Sequence, residues 1–122
     1  MNNLFQADEF IPHGFCLSWD QDLMLAVVVA NGLIAAAYLV LAAVLGIAAL
    51  APKPAVPRWV YWSFAAFILC CGISHIMDDV TLWVPVYRLQ ASVLCLTALV
   101  SVFAAGLPIS IWVTHEVERW RR

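Results

Sequence analysis

Basic residues are scarce in this chain, and its first part has none: no Lys or Arg precedes Leu23, a stretch that holds Asp8, Glu9, Asp20 and Asp22. A secretory leader needs a basic start and a short apolar run. The run that follows here is far too long, so no such leader is expected. Only six Lys and Arg occur in 122 residues, three of them grouped at the end beside an apolar segment. That tail is too short and too close to a membrane to imply a nucleic-acid partner. A CxxC pair is also missing: the four cysteines are Cys16, Cys70, Cys71 and Cys95. Vicinal Cys70 and Cys71 leave a helix about 100° apart, which argues against a thiol oxidoreductase.

In place of charge the chain has apolar length. Hydrophobic residues make up 65% of it and charged ones 11%, with a mean hydropathy of +0.92. That balance is too apolar for an ordinary soluble fold, and the length leaves room for one domain. Residues 23–50, 58–80 and 87–113 form apolar segments long enough to cross a bilayer. The expected class is therefore an all-α membrane protein with three transmembrane helices. Lys53 and Arg58 lie between the first two segments, Arg88 with Asp78 and Asp79 between the next two, and Arg119, Arg121 and Arg122 after the last. The positive-inside rule then puts the N-terminus outside and the C-terminus in the cytoplasm.

Residues 1–22 read as an extracytoplasmic interfacial segment. Phe5, Phe10, Ile11, Phe15, Leu17 and Trp19 alternate with polar residues, and Pro12-His13-Gly14 breaks any long helix. The first span has one strongly polar interior residue, Asn31, and Tyr38 follows seven positions later on the same helical face. An amide without a partner is costly in lipid, so that face is expected to meet another helix, most simply through a hydrogen bond. Pro52-Lys53-Pro54-Ala55-Val56-Pro57 cannot continue a helix and marks a short cytoplasmic turn. In the third span Cys95, Thr97 and Ser101 are modest polar features, and Pro108 is expected to bend the helix. Residues 114–122 read as a cytoplasmic juxtamembrane tail.

The second span carries the chemistry. Cys71 and His75 stand four residues apart, so on a helix they share a face and can reach a common point. Phe64, Phe67 and Ile68 extend the same stripe, and a stripe of this kind is normally core packing. A thiol and an imidazole set together at membrane depth stand apart from that rule, since ionisable groups there are functional candidates. A soft thiolate beside an imidazole in a dry site suits Cu(I) better than Mg²⁺ or Ca²⁺. At a rise of about 1.5 Å per residue, Asn31, Cys71, His75 and Cys95 all lie within about 12 Å of the outer ends of their spans.

Several ordered stretches give the chain a likeness. They are Phe10-Ile11-Pro12-His13-Gly14 with Cys16 and Trp19, Leu33-Ile34-Ala35-Ala36-Ala37-Tyr38, Ala66 to His75, Thr81-Leu82-Trp83, and Leu96-Thr97-Ala98-Leu99-Val100-Ser101. Together they resemble the membrane-spanning N-terminal domain of the ethylene receptors in its bacterial form, over most of the chain. The resemblance implies a homodimer in the bacterial inner membrane, a Cu(I) ion held by Cys71 and His75, and ethylene bound at the copper. Asn31, Tyr38, Phe67, Ile68 and Cys95 are then the candidate ligand-site residues. The resembling proteins continue into sensor and kinase regions, so the expectation here is output through a partner such as a separate histidine kinase, or else a fragment of a longer receptor or a stand-alone binder.

Two positions depart from the family pattern. Asn31 stands where the family normally has an Asp on which ethylene binding depends, and Leu94 where Lys is common. Replacing both charges avoids leaving either one buried and unpaired. The expected function is a Cu(I)-binding sensor domain that binds ethylene or another small olefin weakly, with no covalent chemistry and hence no enzymatic role. The alternatives are a membrane copper-binding protein without ethylene binding, and a structural module that anchors and dimerises a separate kinase.

Overall fold

The computed structural model describes residues 3–121, apart from the side chains at 108, 109, 112 and 113. A 3₁₀ turn at His13–Phe15 precedes three helices: α1 (Gln21–Ala49), α2 (Arg58–Trp83) and α3 (Tyr87–Arg121). No strand occurs among the described residues. All three helices contain a stretch long and apolar enough to cross a membrane, in agreement with the class expected from composition.

The helix ends follow from local chemistry. Asp20 caps α1 by accepting from the Leu23 amide at 3.0 Å, and Asp22 lies in the first turn, where a negative charge meets the positive end of the helix dipole. The prolines at 52, 54 and 57 separate α1 from α2, and Arg58 reaches back to donate to the Ala51 carbonyl at 3.4 Å. α2 runs to Trp83, past the end at residue 80 that hydropathy suggests. Val84 N–H still bonds the Val80 carbonyl, and the helix stops only where Pro85 restricts the residue before it. α3 passes Pro108 as one element and continues to Arg121, so the juxtamembrane tail is helical as far as it is described.

α2 is the central element. It packs against α1 on one side and α3 on the other, while α1 and α3 share no comparable interface among the described residues. α2 approaches α1 tightly at Gly72, where an added Cβ would stand 3.2 Å from Tyr38 Cβ and 3.5 Å from the Ala35 carbonyl oxygen. Small residues let helix backbones come together where no hydrophobic drive from water is available. Toward α3, the Ser74 and Thr97 hydroxyls meet at 3.2 Å. Ser63, Ser74, Thr97 and Ser101 each also donate to the carbonyl four residues earlier, which satisfies these hydroxyls inside apolar helices. Leu33, Val40, Leu99 and Val102 remain exposed, as lipid-facing residues should.

The N-terminal segment folds back as a strap across one end of the helices. Ser18 and Trp19 adopt left-handed backbone angles, φ 52° and 53°, which turn the chain from the 3₁₀ turn into the Asp20 cap. Gly14 is buried against α2: a Cβ there would lie 2.9 Å from the Leu82 carbonyl oxygen and the Trp19 ring. The strap is fastened to the start of α3. Tyr87 donates to the Ile11 carbonyl at 2.9 Å, Arg88 pairs with Glu9 at 2.9 Å, and the Phe10 ring stands edge-on to Tyr87 at 5.7 Å.

The crossing at Gly72 predicts a sharp asymmetry between glycines. Gly72→Leu should lower the thermal unfolding midpoint of detergent-solubilised protein, with overpacking costing about 1–3 kcal/mol. Gly32→Leu, where an added Cβ meets nothing within 4 Å, should not. Circular dichroism melts of the two variants check this.

Candidate functional site

Cys71 and His75 lie on the uninterrupted α2, so their Cβ atoms are about 5–6 Å apart on one face. Both are half-buried. Cys71 precedes Gly72, where α2 packs tightly against Ala35 and Tyr38 of α1. Two residues of α1 then reach the imidazole. Asn31 Oδ1 stands 3.0 Å from His75 Nδ1, and the Tyr38 ring meets the His75 ring edge-on at 5.8 Å. The spacing of Asn31 and Tyr38 thus does bring both to α2.

With Asp79 as a carboxylate, the two ends of the Asn31 amide imply one proton arrangement at His75. Asn31 Nδ2 donates to Asp79 Oδ1 at 3.0 Å. An ionised carboxylate only accepts, so the NH₂ of Asn31 belongs toward Asp79 and its carbonyl oxygen toward His75. That oxygen also only accepts, so His75 donates through Nδ1–H. A neutral His75 in this tautomer keeps the lone pair of Nε2 free, and this is the state in which a histidine serves as a metal ligand.

The other sequence-derived candidates occupy different places. Phe67 and Ile68 are half-buried on α2, about one turn before Cys71. Cys95 is exposed on α3, as is Leu94. No three His, Cys, Asp or Glu side chains among the described residues converge to hold a metal, so Cys95 does not join Cys71 and His75 within one chain. What α3 gives α2 instead is Thr97, through its contact with Ser74. Asp79 is the group that sequence reading passes over. It follows His75 by four residues, continuing the spacing of Cys71 and His75, but two adjacent acids read more readily as the end of a span.

A cavity of about 480 Å³ lies at the strap end, walled by His13, Asn31, Asp78, Leu82, Tyr87 and Gln90 among others. Gln90 donates to Asp78 Oδ1 at 2.7 Å, so the two neighbouring acids serve different partners. Asn31 belongs both to this wall and to the His75 cluster. A space of this size with polar groups on its wall is able to hold water, and the Asn31 amide lies between it and the imidazole.

Comparison with known proteins adds one match. A family model described as "Ethylene receptor 1-like, N-terminal domain" matches residues 22–113, from the first turn of α1 to well within α3. No curated protein and no solved structure matches the chain.

Releasing the strap should be visible without disturbing the helices. In a Tyr87→Phe, Arg88→Ala double variant, amide hydrogen exchange across residues 14–19 should accelerate about fivefold or more, since one lost hydrogen bond is worth about 1 kcal/mol. Exchange in the middle of α2 should be unchanged.

Proposed function

The chain belongs to the ethylene receptor 1-like N-terminal domain family, and from that premise we propose that it is a membrane sensor domain. In this reading it holds Cu(I) through Cys71 and His75 and binds ethylene or a comparably small olefin there. The observation that carries the reading is the 3.0 Å contact of His75 Nδ1 with Asn31 Oδ1, which leaves Nε2 as the ring atom free for a metal. The donor set fits: a thiolate and an imidazole are ligands that Cu(I) accepts, and the one carboxylate on the same face, Asp79, is engaged by the Asn31 amide at 3.0 Å.

When bound, Cu(I) supplies a soft, electron-rich centre that takes up a π-donor reversibly. The chain's own residues do the rest. Cys71 provides the thiolate and His75 its Nε2. Asn31 fixes the plane and tautomer of the ring, and Tyr38 packs on its edge. Phe67 and Ile68 cover the same face of α2 and keep it apolar, as small-ligand sites require. No bond of the ligand is made or broken covalently, so the role is that of a receptor and not an enzyme.

The distribution of Lys and Arg supports placing the strap outside and Arg119 and Arg121 in the cytoplasm; the inner membrane of a bacterium is what the resemblance to the bacterial form implies. α3 is 35 residues long, about 50 Å, and extends beyond its apolar portion. It is suited to carry a change in helix packing to a cytoplasmic histidine kinase, and its exposed apolar face to meet a second copy of the chain in a homodimer within the lipid. A second reading keeps the copper and drops the olefin; neutral Asn31 and Leu94 are the residues that favour it.

Purified protein loaded with Cu(I) should retain the metal, and Cys71→Ser and His75→Ala should each reduce retention to background. Equal copper in all three proteins would remove the site. Saturable retention of labelled ethylene by the loaded wild type supports the sensor reading. Retained copper without ethylene selects the second reading, and no specific copper at all leaves an anchoring module.

A further inference from the structure

Asp79 has no part in the copper reading, yet it ends a hydrogen-bond chain that leads to the proposed ligand. The chain runs from His75 on α2 to Asn31 on α1 and back to Asp79 on α2, with both links at 3.0 Å. Asp79 lies one helical turn beyond His75, so Cys71, His75 and Asp79 follow one another at intervals of four on a single face. We infer that Asp79 is a positioning residue for the metal-binding imidazole, acting through the Asn31 amide. This assignment rests on the copper reading above.

The physical reason lies in the symmetry of an amide. A carboxamide has nearly the same shape with its oxygen and nitrogen exchanged, so an Asn beside a histidine does not by itself dictate the tautomer. With the NH₂ toward His75, Nδ1 would have to accept, the ring proton would sit on Nε2, and the ligand atom would be blocked. Asp79 breaks that symmetry. Its carboxylate oxygen accepts from Nδ2, whereas the reversed amide would set two acceptor oxygens against each other at about 3 Å. The carboxylate therefore selects the amide orientation, and the amide selects the ring tautomer.

The same geometry gives position 31 a definite requirement. A carboxylate there would face Asp79 at hydrogen-bond distance, and two anions so placed repel. A neutral side chain with one donor end and one acceptor end satisfies both neighbours. Asn31 is such a side chain. Asp78 does not compete for this role, since it turns to Gln90 at 2.7 Å.

The test uses the whole chain in lipid nanodiscs with ring-¹⁵N-labelled histidine, at one fixed pH and without copper. Wild-type His75 should show a protonated Nδ1 and an unprotonated Nε2, assigned by its loss in His75→Ala. Asp79→Ala should show both tautomers and bind Cu(I) about 10-fold to 100-fold more weakly. Should Asp79→Ala fail to fold by circular dichroism, Asp79→Asn replaces it. An amide there can present either end to Asn31, so mixed tautomers are again expected. An unchanged single tautomer, or an unchanged Cu(I) affinity, overturns the inference and leaves the copper reading standing. A wild type that binds no Cu(I) overturns the copper reading, and with it this role for Asp79.

Discussion

Inside a bilayer a polar side chain has no water to fall back on, so each one must find its partner in the protein. Asn31 is the one strongly polar group in the interior of α1, and its partners, His75 and Asp79, are both on α2. That single requirement sets how α1 and α2 meet. The helices can satisfy the amide only if their backbones approach closely, and Gly72 with Ala35 permits the approach one turn away. The imidazole is therefore held by the same contact that holds the two helices together.

α2 then stands between the other two helices and carries both proposed ligands. Its α1 side supplies directed contacts to the ring, a hydrogen bond and an aromatic edge. Its α3 side supplies hydroxyl contacts that back the helix. The departure of position 31 from the family pattern also takes on a different sense here. Asn31 is no isolated loss of charge, because a carboxylate one link away on α2 completes the chain.

Much of this was legible in the sequence, for identifiable reasons. Apolar length fixes the three helices, helical spacing fixes that Asn31 and Tyr38 share a face, and the interval of four pairs Cys71 with His75. Counting rise along a helix also places Cys95 at a depth similar to Asn31. It cannot place Cys95 around the helix axis, however, and the thiol lies exposed on α3 instead of in the cluster. Asp79 escapes because an acid near the end of an apolar run reads as the end of that run, when α2 continues a further turn to Trp83. The strap escapes for another reason. Its partners lie at the far end of the chain, and no local periodicity reports a contact between Glu9 and Arg88.

That distance has a bearing on how the protein is made. The bonds that fasten the strap join residues 76 to 82 positions apart. A growing chain emerges at about 5–20 residues per second, so residues 6–11 are synthesised several seconds before Tyr87 and Arg88 exist to receive them. Closure over so long a loop is also the slowest kind of contact to form. The fastening of the strap to the start of α3 is thus among the last contacts for which both partners exist.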